Sequence, residues 1–70
     1  MTTTIIVKLP EVPFAPETWH VLDGISLIGA IVSNDPRDMA YDAIPNFRGP
    51  AKRFETRIEC AEYLNRLLSI

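Results

Sequence analysis

The sequence predicts an α+β fold: an antiparallel meander of three to four strands packed against one C-terminal helix. Three observations lead there. β-Branched and apolar residues fall into short runs between positions 4 and 44, each closed by a turn dipeptide or a proline. An Asp-Gly pair, Asp23-Gly24, separates two of these runs, which is the strongest short-range signal of a hairpin. From Thr56 onward the apolar period lengthens from two to about 3.6 residues. The whole chain, 1–70, reads as a single small domain. Its parts are an N-terminal strand and Pro-rich arm at 1–18, the meander at 19–44, a loop at 45–55 and a helix at 56–68.

Each element has its own local cause. Ile5, Ile6 and Val7 make residues 4–9 a strand, and Pro10, which has no N–H for a ladder, ends it. Pro10, Pro13 and Pro16 recur every third residue, the period of polyproline II, so the arm is expected to be extended. A two-residue Asp23-Gly24 loop of type I′ pairs Leu22 with Ile25, His20 with Leu27 and Trp19 with Ile28. Asn34, Asp35 and Pro36 supply a second turn, after which residues 39–44 form the third meander strand, stopped by Pro45. Gly49-Pro50 marks a loop. Thr56 and Glu59 form a capping box for the helix. On that helix Cys60, Ala61, Leu64, Leu67 and Leu68 share an arc of roughly 120°, with Glu62 and Arg66 on the opposite, solvated side.

The central strand is apolar on both sides. Strict alternation sends Leu27 and Ile31 one way and Ile28, Ala30 and Val32 the other. One helix covers one face, so the second needs its own cover. Either the N-terminal strand and the arm fold back over it, or it is a contact surface for a protein partner or a second copy in a homodimer. Ile28, Ala30, Val32 and Trp19 are the candidate partner-binding residues of that reading. Gly29, in mid-strand, admits a close approach by a neighbour.

Composition bounds the chemistry. With 47% apolar and 23% charged residues the chain has a globular balance, and a formal net charge of −2 gives no general pull toward nucleic acid or anionic membrane. One cysteine excludes an internal disulfide, and one histidine with one cysteine cannot close a zinc site, so neither metal nor cofactor is expected. No apolar run approaches the roughly twenty residues of a bilayer span, and the first residues lack a signal-peptide pattern, so a cytoplasmic protein without membrane contact is expected. His20 has no orienting acid or nucleophile beside it in the expected register, and Cys60 lies on the buried helix stripe. No catalytic residue is assigned, and the chain is not expected to be an enzyme.

Charge is the most uneven feature. Arg48, Lys52, Arg53 and Arg57 place four of the seven basic residues in ten positions, with Phe47 and Phe54 as stacking faces. This segment carries the alternative reading, a small nucleic-acid-binding or anion-binding module.

The succession Trp19, Val21, Asp23-Gly24, then Gly29 and Ile31, then Tyr41 and Ala43, then Phe54 and Thr56 before a helix holding Ala61 and Leu64 has a recognisable shape. It resembles the three-stranded-sheet-plus-helix pattern of AP2-type and integrase arm-type DNA-binding domains, and of short proteins encoded by phages and mobile elements. The resemblance implies a sheet backed by one helix. It transfers no site residue, because the strands between positions 19 and 44 hold no Lys or Arg. The functional expectation is a non-enzymatic protein-interaction module, of the kind a phage or mobile element encodes as an inhibitor or adaptor of a host complex.

Overall fold

Every strand pairs with its neighbour in sequence. In the computed structural model, which describes residues 4–33, 40–46 and 49–68, five strands lie in the order β1 (Thr4–Lys8), β2 (Glu17–Asp23), β3 (Ser26–Ser33), β4 (Tyr41–Pro45) and β5 (Lys52–Phe54). All four pairings are antiparallel. The helix α1 (Arg57–Leu68) crosses one face of this sheet. The fold is thus α+β, with one helix on an antiparallel meander, as the sequence predicts.

β5 adds a short edge strand inside the segment expected to be a loop. Three residues are too few to show a period, and Gly49-Pro50 dominates the local signal. Its pairing places Phe54 beside Tyr41 and Arg53 beside Asp42, whose carboxylate accepts from Arg53 Nε at 3.0 Å.

The arm is not extended. Ala15 N–H donates to Val12 O at 3.1 Å, closing a turn with Pro13 and Phe14 at its centre. Phe14 has φ +66°, so the turn follows the type II pattern, with proline first and a left-handed residue second. Polyproline spacing is overridden because β1 and β2 are hydrogen-bonded neighbours, and Leu9 N–H still donates to Thr18 O at 2.9 Å. The segment between them must therefore reverse the chain. It cannot lie across the sheet, and Val12 and Phe14 are exposed at 62% and 109%.

The β2–β3 hairpin also departs from its expected register. Asp23 pairs with Ser26, so the loop is Gly24-Ile25, with φ +64° at Gly24 and no positive φ at Ile25. Glycine alone in the first loop position is the type II′ arrangement, and it spares β-branched Ile25 a left-handed conformation. Pairing then slips by one: Leu22 faces Leu27, but Val21 faces Gly29. Ile28 is the extra residue of a β-bulge. Asn46 holds it, its N–H donating to Ile28 O at 3.0 Å and its Nδ2 to Leu27 O at 3.3 Å.

The bulge resorts the side chains of β3. Ile28 joins Ile31 in the core, and the expectation that it shares a face with Ala30 and Val32 is corrected. Trp19, Val21, Ile28, Ile31 and Ala43 meet Cys60, Ala61 and Leu64 of the helix, with Ile6, Tyr41, Phe54 and Tyr63 at the rim. Trp19 and Tyr41 pack edge to face with centroids 5.7 Å apart. Gly29 lies under Leu64. A Cβ there would stand 2.7 Å from Ile44 O and 2.8 Å and 2.9 Å from the two Leu64 methyls.

The helix begins as the sequence predicts. Glu59 N–H donates to Thr56 Oγ1 at 3.2 Å, and the Thr56 hydroxyl donates to Glu59 Oε1 at 3.0 Å. Glu62 and Arg66 are exposed, as expected. Leu68, expected in the buried stripe, is 45% exposed. Near the helix's far end, Leu67 packs against Gly49, and the Asn65 amide donates to Thr4 Oγ1 of β1.

Leu64→Ala should destabilise the fold by about 2–5 kcal/mol, and Gly29→Ala by roughly 1–3 kcal/mol. Combined, they should cost less than their sum by about 1 kcal/mol, because the two Leu64 methyls are among the atoms the new Cβ strikes. Urea melts of the four proteins measure this coupling, and strict additivity would contradict the contact.

Candidate interaction surface

The sheet face away from the helix is built from three cross-strand rows, fixed by the register. One row is Ile5, Leu22 and Leu27; the next is Val7, His20, Ala30 and Ile44; the third is Thr18, Val32, Asp42 and Arg53. Ile5, Val7, Leu27 and Ile44 are exposed at 42%, 45%, 39% and 42%, while Leu22, His20, Ala30 and Val32 are half-buried by their neighbours. No described element crosses this face. Its two charges, Asp42 and Arg53, are paired with each other at one side.

Of the sequence-predicted partner residues, Ala30 and Val32 lie here. Ile28 and Trp19 do not: they are 2% and 4% exposed and belong to the core beneath the helix. The bulge accounts for both: it turns Ile28 inward, and with the displaced loop it moves the partner of Trp19 three positions, from the expected Ile28 to Ile31 in the core. Sequence reasoning missed Ile5, Val7, Leu22, Leu27 and Ile44. For β1 the signal was available, because Ile5 and Val7 alternate with Ile6, which packs on the core.

The basic segment separates across the molecule. Arg48 lies outside the described residues, as does Phe47. Lys52 lies on the helix side, its ammonium 5.6 Å and 5.7 Å from the Phe54 and Tyr63 ring centres. Arg57, at the helix start, stacks its guanidinium 5.1 Å above Trp19 and 5.9 Å from Tyr41. Arg53 faces the other way, against Asp42. The described cations therefore cover aromatic rings or pair with a carboxylate, and they do not form one patch.

His20 and Cys60 are on opposite sides of the sheet. His20 has Val7 and Ala30 as cross-strand neighbours. Cys60 is fully buried, its thiol directed at Tyr41 O at 3.6 Å. Burial pushes that thiol up to about 11, with repulsion from Asp42 and Glu59 adding to it. Among the described residues no three of the His, Cys, Asp and Glu side chains converge on a metal-sized site, and no helix is long and apolar enough to cross a membrane. Compared with known protein families, curated proteins and solved structures, the chain matches none.

One further exposed group is Phe14, at the tip of the β1–β2 hairpin. Its left-handed backbone costs about 1–2 kcal/mol in a residue with a Cβ. Phe14→Gly should raise stability by roughly 1 kcal/mol in urea melts, and a loss of stability would mean that the ring is held by contacts. The Cys60 thiol should resist thiol reagents in the native state at pH 8 and react at once in denaturant. Its folded value stands above the unfolded 9.0, so its contribution to stability is complete below pH 9 and is lost as pH rises toward 11. Cys60→Ala should remove that alkaline loss, measured as the midpoint of urea unfolding against pH.

Proposed function

We propose that this protein is a non-enzymatic interaction module that works by occupying a partner's surface with the open face of its sheet. One observation carries the reading: a largely apolar face, running from Ile5 and Val7 to Leu27 and Ile44 around the half-buried His20, that no part of the described chain covers. Antiparallel sheets with one wet face alternate apolar with polar residues, and this one presents apolar residues where polar ones belong. A contact area is the ordinary meaning of such a patch. An adaptor or inhibitor of a larger complex acts in just this way, by binding without chemistry. The unpaired, buried Cys60 is compatible with a reducing, cytoplasmic setting.

The nucleic-acid alternative through Lys52, Arg53 and Arg57 has less support, because their cations already have partners in the fold. A photo-reactive side chain at Leu27 should form adducts with polypeptide, and the same group at Glu62, on the solvated side of the helix, should not. Adducts at Leu27 should persist in about 1 M salt, where surface charge attraction is screened within roughly 3 Å. Equal labelling from both positions, or adducts with nucleic acid alone, would overturn the reading.

A further inference from the structure

We infer that the occupant of the open face is a second copy of this chain, stacked sheet on sheet about a two-fold axis. The inference rests on the reading of that face as a contact surface and names what meets it.

Area is the first argument. Five strands at about 4.8 Å spacing, with strands of three to eight residues at about 3.4 Å each, give a face on the order of 500 Å². Two copies would then bury about 1,000 Å² in total, the lower bound of a specific protein interface. The face is thus large enough for one well-packed contact between equals.

Charge is the second. A two-fold interface sets a patch against itself, so any unbalanced charge on it is met by its own like. Here Asp42 and Arg53 neutralise each other at 3.0 Å, at one side of the face. The two rows that hold Ile5, Leu22 and Leu27, and Val7, His20, Ala30 and Ile44, contain no Asp, Glu, Lys or Arg. A partner chosen for charge would need an uncompensated carboxylate, ammonium or guanidinium to read, and apart from the Asp42–Arg53 pair the described face has none. A second copy needs only a neutral apolar surface with relief. Ala30, on the middle strand, lies low between Val32 and Leu27, which lets larger side chains of a facing sheet interdigitate.

The fold supplies a third reason. Among the described residues eight apolar side chains are buried, the cysteine is free, and no cluster of His, Cys, Asp and Glu is placed to hold a metal. Domains of this size are often completed by oligomerisation. Stacking would turn a two-layer molecule into four layers, helix, sheet, sheet, helix, with a second core about 10 Å thick between the sheets.

Sedimentation equilibrium of the purified full chain, from about 5 to 500 μM, tests this over the micromolar range, about −8 kcal/mol of association free energy at 1 μM. The mass should rise from one chain to two across the range. Val32→Asp and Leu27→Asp should stay monomeric with cooperative thermal melts. Phe14→Ser, which removes the most exposed apolar side chain from a different place, should dimerise like the parent. Where either Asp variant fails to fold, the photo-reactive group at Leu27 replaces it, and in purified protein it should give a product of twice the chain mass. A parent that is monomeric at 500 μM, or a dimer unchanged by both folded Asp variants, would overturn the second copy as occupant. Adducts from Leu27 to some other polypeptide would, in that case, leave the wider reading of the face intact.

Discussion

The approach of the helix to the sheet is set by an absent side chain. Gly29 lies on the middle strand where Leu64 comes down, and no room remains for even one carbon between the Leu64 methyls, the Ile44 carbonyl and the strand. Leu64 is fully buried as a result, and the helix lies close enough for Cys60 and Ala61 to close the core over Ile31 and Ala43. A larger residue at position 29 would lift the helix from all of them together. In close-packed interiors a shift of one methylene is felt by every neighbour.

What makes that geometry available is the bulge beside it. With regular pairing, Ile28 and Gly29 would alternate, and one of them would be lost to the far face. The extra residue keeps both Ile28 and Ile31 in the core while turning Gly29 under the helix. Asn46 secures the arrangement by donating to the carbonyls of both Leu27 and Ile28. The same resorting leaves Leu27, Ala30 and Val32 together on the side that the helix does not reach. Core and open face are two results of one irregularity.

This explains which parts of the molecule could be read from residues alone. The helix was legible because Thr56, Glu59 and the spacing of Cys60, Ala61 and Leu64 are all local signals. The strands were legible from β-branched runs and their closing prolines. The hairpin loop was misplaced by one residue, because Asp-Gly fits the type I′ pattern but Ile25 tolerates only the second position of a type II′ loop. Ile28 was assigned to the wrong face because a bulge leaves no mark in the period of a strand. It is fixed by Asn46, eighteen positions away in the chain. Half of the expected contact residues, Ala30 and Val32, were found on the open face. The rest of that face comes from β1, β2 and β4, and depends on pairings that a single strand's pattern does not encode.

The order of the sheet has a consequence for how the chain acquires its shape. Each strand joins the one just before it, so the sheet can zip from any hairpin without long segments of chain having to meet. Closing short loops costs little entropy, and topologies of this kind fold fast for their β-content. The helix is the exception: Asn65 reaches Thr4 across 61 positions, the longest tie in the described hydrogen bonds. The sheet can therefore assemble hairpin by hairpin, while the helix joins the two ends of the described chain.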